Sequence, residues 1–170
     1  MYLYLIRHGI ATDPDPFAVD KIASDELRSL TKLGRKKVEQ VADRLIKLEV
    51  EFDLIITSPL VRARQTADLL LDNQLSSQLE VSQELKPSGN LPAWLQEWDA
   101  RSIDPTTISQ LALVGHEPNL SQWAELFVFG KVCDRLILKK GGIIGLKFEK
   151  NRLAIGTAQL CCLLSPKYLI

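Results

Sequence analysis

The chain has 170 residues, 46% of them hydrophobic and 25% charged; this excludes disordered, collagenous and low-complexity classes and suits one domain (1–170) burying about 70% of its unfolded surface. Lys plus Arg number 21 and so do Asp plus Glu, so no net field draws the chain onto nucleic acid or an anionic membrane, and a bound anion must be held locally. Cys133, Cys161 and Cys162 give neither a disulfide framework nor zinc-ligand spacing and read as reduced, buried thiols; with no signal-peptide pattern and no apolar run near 18 residues, the expectation is a soluble, cytoplasmic protein.

An apolar and aromatic run from Tyr2 to Ile6 leads straight into Arg7-His8-Gly9. Gly9, Pro14 and Pro16 close it off, which fits a buried strand with His8 at its carboxyl end. Residues 10–29, rich in Asp, Pro and Ser, read as a long loop covering that strand end. Thr31 is placed to cap a helix whose Val38, Val41, Ala42, Leu45 and Leu48 form one apolar stripe. Residues 53–57 predict a second buried strand, and Ser58-Pro59 opens a helix on which Arg62, Gln65 and Thr66 are neighbours while Arg64 points away. Residues 79–85 suggest an edge strand and 86–90 a turn. A short helix over 91–99 pairs Trp94 with Trp98 in packing. A strand over 109–114 then leads to Gly115-His116-Glu117-Pro118-Asn119, followed by a helix over 120–129. The remaining apolar segments, 136–138, 143–148 and 152–164, suggest antiparallel pairs joined by glycine turns. The expected fold is α/β in three layers: a mostly parallel central sheet, helices on both faces, and antiparallel strands at one side.

The two histidines of the chain, His8 and His116, both follow apolar runs. Strand carboxyl ends face the crevice where open α/β sheets bind ligands. Either histidine alone would read as buried and bonded at a strand end. Together with Arg7 and Arg62 they suggest a pocket for a dianion, since guanidinium groups match phosphate oxygens and stay charged. Phosphoryl transfer then needs a nucleophile, which a neutral imidazole supplies, and a protonated second histidine would donate to the equatorial oxygens.

Arg7-His8-Gly9, the run from Ser58 to Ala67, and Gly115-His116-Glu117 resemble, in this order and spacing, the signatures of the histidine phosphatase superfamily, whose fold is phosphoglycerate-mutase-like. The resemblance implies that His8 is the phosphorylated nucleophile, that Arg7, Arg62 and His116 are catalytic and bind the phosphate, and that no metal or other cofactor is required. Within the superfamily, the short chain, Leu30-Thr31 with Gly34, Leu85 through Pro87 to Gly89, and the segment from Gly115 to Leu120 are similar to the small SixA phosphohistidine phosphatases. That similarity implies a histidine-phosphorylated protein as partner, with a histidine-containing phosphotransfer domain as the family's suggestion and a phosphotransferase-system carrier as another, and a role in signal transduction. Relatives that cleave alkyl phosphates protonate the leaving oxygen with a carboxylic acid. Glu80, Glu84, Glu97 and Asp99 lack the Glu-Gly setting of the mutases, and a P–N bond breaks without such an acid. A small-molecule phosphomonoesterase and a non-catalytic phospholigand-binding module are the alternatives. Ile10 departs from the acidic or amide residue that many relatives carry after Arg-His-Gly. A monomer is expected, because no long apolar stripe is left after the core is assigned.

Overall fold

The structure, a computed structural model, describes residues 1–101, 107–149 and 152–170. Its strands are β1 (Tyr2–Arg7), β2 (Leu54–Thr57), β3 (Leu79–Val81), β4 (Gln110–Gly115), β5 (Ile143–Lys147) and β6 (Gln159–Leu164). Its helices are α1 (Lys21–Glu26), α2 (Lys32–Lys47), α3 (Val61–Asp72), α4 (Leu91–Asp99), α5 (Asn119–Phe129) and α6 (Pro166–Leu169). The strands form one sheet in the order β3-β2-β4-β1-β5-β6. The first four run parallel, and β5 and β6 are antiparallel at one side.

Side chains alternate across the sheet, so each strand feeds two cores. Leu3, Leu5, Leu111 and Leu113 pack with Trp94, Trp123 and Phe127 of α4 and α5. Ile6, Ile55, Ala112 and Val114 pack with Val41, Ala42 and Leu45 of α2 and with Ala63, Ala67 and Leu70 of α3. Trp94 stacks on Trp98 at 5.8 Å between centroids and is buried, so the pair is packing, as its helical spacing suggests.

Two glycines let backbones approach where a side chain could not fit. A Cβ at Gly34 would lie 2.0 Å from the Ile10 carbonyl oxygen, and one at Gly89 would lie 1.6 Å from that of Glu84. Thr31 caps α2 by accepting from Gly34 N–H at 2.9 Å, and its own N–H donates to Ile10 O at 2.9 Å. The Leu-Thr-x-x-Gly segment is thus the device that fastens α2 to the chain just past His8.

Several elements differ from the sequence expectation. The loop over 10–29 contains α1, capped by Asp20 Oδ1, which accepts from Ile22 and Ala23 N–H. Only 79–81 of the 79–85 segment is strand; residues 83–85 form a 3₁₀ turn. The C-terminal α6 was not anticipated. Cys161 is exposed and Cys133 and Cys162 are half-buried: Cys161 and Cys162 lie on β6, an edge strand, and Cys133 lies in the irregular segment after α5.

Residues 136–138 are not a strand; a buried carboxylate holds that segment instead. Glu125, 1% exposed, accepts from the N–H groups of Cys133, Asp134, Arg135 and Leu136 at 2.5 to 2.9 Å. Burial would raise its pKa, but these donors outweigh it and hold the carboxyl down to about 2. Glu125→Ala leaves four donors without their acceptor and is expected to lower the unfolding free energy by about 3–5 kcal/mol, by analogy with a broken buried charge pair, measured by urea titration. An unchanged midpoint would disprove this.

Candidate active site

The parallel pairing of β1 with β4 sets Arg7 opposite Gly115, so the two residues that follow, His8 and His116, leave the sheet side by side. Their ring centroids are 5.0 Å apart. Parallel pairing of β2 with β4 brings Ser58 and the start of α3 to the same edge, placing Arg62 in the first turn of that helix. The four residues expected from sequence are therefore brought together; His8, Arg62 and His116 are buried and Arg7 is half-buried.

The α3 run has a separate task for each polar side chain. Thr66 Oγ1 accepts from Gly9 N–H at 3.1 Å and donates to Arg62 O at 2.8 Å. Gln65 Oε1 accepts from Leu30 N–H at 2.8 Å. Arg64 points away and pairs with Asp68, as its position on the helix requires.

The His8 tautomer follows from its partner. Nδ1 lies 2.7 Å from Gly9 O, a carbonyl that only accepts, so Nδ1 carries the proton and Nε2 holds the lone pair. Burial first, then the charges of Arg62, Arg7 and Lys140, push the His8 pKa down to about 3, against a smaller opposing effect of the Gly9 bond. The ring is a neutral base at physiological pH, with Nε2 available as nucleophile.

His116 is held uncharged. Burial, then His8 and Arg62, lower its pKa to about 2, so in the free protein it is neutral rather than protonated. The charge of Asp25 opposes this shift and does not overcome the burial. Nε2 lies 2.9 Å from Ser58 Oγ, which already accepts from Leu60 N–H at 3.3 Å and can donate its own proton to Nε2. That arrangement leaves a hydrogen on Nδ1. Among the described residues, the buried side-chain polar atoms without a partner are Arg7 Nε, Arg62 Nε, His116 Nδ1 and Glu117 Oε1. Three of the four are nitrogens on the residues expected to bind an anion, so the fold leaves hydrogen-bonding capacity unused at these side chains.

Both arginines are oriented by carbonyl or carboxylate oxygens. Arg7 Nη1 donates to Leu138 O at 2.8 Å, so the loop organised by Glu125 also aims Arg7. Arg62 Nη1 and Nη2 donate to Asp25 O at 2.6 Å and Asp25 Oδ2 at 2.9 Å. Sequence reading missed Asp25, which lies in α1, a helix too short to leave a periodic signal; Glu125 did leave one, an acid within the apolar run of α5.

The acids considered as proton donors have other roles. Glu80 pairs with Arg101, Glu84 accepts from Asn90 N–H, Glu97 accepts from Ser82 Oγ, and Asp99 is exposed. Glu117, outside that set of acids, is half-buried next to His116, accepts from Ser121 Oγ at 2.5 Å, and has its pKa raised by burial. Among the described residues no three His, Cys, Asp or Glu side chains group as metal ligands, and no helix is long and apolar enough to cross a membrane.

The sequence model of the histidine phosphatase superfamily (branch 1) matches residues 3–87. An uncharacterized protein of Picosynechococcus sp. is 42% identical over 100% of this chain and 99% of its own length. The phosphohistidine phosphatase SixA of Escherichia coli is 35% identical over 68% of this chain and 71% of its own. The solved structure of a protein histidine phosphatase SixA complexed with tungstate superposes over all of both chains, with TM-score 0.81 at 23% identity. The α-ribazole phosphatase of Shigella flexneri has the same fold, with TM-score 0.67 at 21% identity over 98% of this chain and 97% of its own. Matched by the family model over half its length and by a 35% identical phosphatase over two thirds, this chain belongs to the histidine phosphatase superfamily.

Proposed function

We propose that the protein is a phosphohistidine phosphatase acting on a histidine-phosphorylated protein, with His8 as nucleophile and Arg7, Arg62 and His116 holding the phosphoryl group. The observation that carries this reading is the neutral His8 ring, its Nδ1 proton fixed on Gly9 O, 5.0 Å from the His116 ring and within the field of Arg62 and Arg7.

Nε2 attacks phosphorus in line with the leaving nitrogen. The P–N bond to the substrate breaks, its electron pair returning to a leaving imidazole that carries a proton. Water then attacks the His8 phosphoramidate, releasing orthophosphate and a proton and restoring the neutral ring. The arginines and the Nδ1–H of His116 stabilise the charge on the equatorial oxygens. Neither step uses a metal or other cofactor. A protein substrate is favoured by the rim: Phe17, Val19, Ile22 and Leu27, on and beside α1, are strongly exposed apolar residues, an uncommon concentration beside a polar pocket. A signalling phosphotransfer domain in the cytoplasm is the partner and setting this reading suggests.

Glu117 favours a second reading, hydrolysis of a small alkyl phosphate, because a half-buried carboxyl with a raised pKa is suited to protonate a leaving oxygen. The test is turnover of a phosphohistidine peptide and of 3-phosphoglycerate, with chelator present, by the unmutated protein and Glu117→Gln. Fast loss of phosphohistidine alone, unaffected by the substitution, is expected. Turnover of the alkyl phosphate that disappears in Glu117→Gln would overturn the proposal in favour of the second reading.

A further inference from the structure

Helix α1 is tethered in an unusual way. None of its residues is buried, so packing contributes little to its placement, and polar bonds do the work instead. Lys86 Nζ pairs with Glu26 at 2.8 Å. Arg28 Nε donates to Thr12 O at 2.7 Å, and its Nη1 donates to Asp25 Oδ1 at 2.7 Å. Asp25 divides its oxygens: Oδ1 faces Arg28, while Oδ2 and the backbone carbonyl face Arg62.

A guanidinium has five N–H donors in a rigid plane. Asp25 takes one donor from each terminal nitrogen of Arg62, and two acceptors on one residue fix both the direction and the roll of that plane. Nε stays buried and unpartnered, and so remains for another acceptor. An unanchored arginine would sweep many rotamers, and ordering it on binding would cost side-chain entropy.

We infer that Asp25 is a positioning residue for the phosphoryl pocket: through its bonds to both terminal nitrogens it holds Arg62 with Nε presented to the substrate's phosphoryl oxygens, and Arg28, anchored on Thr12, holds Asp25. This rests on the reading of the pocket as a phosphoryl site. Burial of Asp25 is outweighed by the hydrogen bonds from Arg28 and Arg62, which keep its carboxyl below the usual range, so it stays an acceptor at neutral pH. The competing role for the same carboxylate is to occupy Arg62 in place of the anion, and the two roles predict opposite signs.

The experiment is calorimetric binding of tungstate and of inorganic phosphate to the unmutated protein, Asp25→Ala and Asp25→Asn, with thermal unfolding of each. Positioning predicts that Asp25→Ala weakens both anions about ten- to a hundredfold. Asp25→Asn, which keeps one oxygen to accept from Arg62, is expected to lose less. Each substitution removes the charged partner of the buried Arg62, so the unfolding midpoint is expected to fall in both; tighter anion binding by Asp25→Asn than by Asp25→Ala at a similar midpoint is a result that a scaffold role would not give. Equal or tighter binding by Asp25→Ala, with the unmutated protein binding normally, overturns the inference and leaves the pocket standing. Failure of the unmutated protein to bind either anion overturns both.

Discussion

His8→Ala is expected to lower turnover of a phosphohistidine substrate by about 10⁴-fold or more, the scale seen when a covalent nucleophile is removed and only binding and charge stabilisation remain. The same substitution should abolish the acid-labile, base-stable phosphoryl label that the unmutated protein acquires when quenched during turnover. Tungstate should still bind, because Arg7, Arg62 and His116 keep their own supports in Leu138, Asp25 and Ser58. Lost turnover with retained binding identifies His8 as nucleophile. Binding of phosphorylated partners by both forms, with turnover by neither, would instead make this a phospholigand-binding module. The prediction depends on the tautomer: with Nδ1–H committed to Gly9 O, the reactive nitrogen is available without a general base.

The second large effect is on stability at mildly acid pH. In an unfolded chain both imidazoles titrate near 6.5, whereas folding holds His8 near 3 and His116 near 2. Between those values the unfolded chain binds protons that the folded one refuses, so stability falls as pH falls, by up to about 1.4 kcal/mol per pH unit for each histidine. The full contribution is present above pH 6.5 and is lost progressively below it. Glu117 works in the other sense. Its raised pKa stabilises the fold as pH drops toward 4.5, and one carboxyl offsets only part of two imidazoles. Urea midpoints measured from pH 7 to pH 5 should fall steeply for the unmutated protein, and the slope should flatten in the His8→Asn, His116→Asn double variant. A flat profile in the unmutated protein would mean that the pair is not held neutral.

Much of this molecule was legible from local order in the chain. The apolar runs that end at His8 and His116, the proline opening α3, and the stripe of α2 each act over a few residues. Backbone sterics and side-chain periodicity over such spans dictate local structure, so strand ends, helix faces and the four pocket residues could be named in advance. The fold class followed, because strands alternating with helices leave few ways to bury both faces of a sheet.

What local order could not supply was how the pocket residues are held. Asp25 meets Arg62 across 37 residues of chain and Leu138 O meets Arg7 across 131, and neither distance leaves a periodic trace. Residues 136–138 illustrate this: three apolar residues suggest a strand, but the Glu125 carboxylate claims the N–H groups of Cys133 to Leu136, which run into that segment. The protonation state of His116 is likewise set by assembly, since burial and the approach of His8 and Arg62 exist only in the folded chain. Side-chain chemistry and strand ends are properties of short segments, whereas desolvation and hydrogen bonds between distant segments arise only when the sheet closes and water leaves.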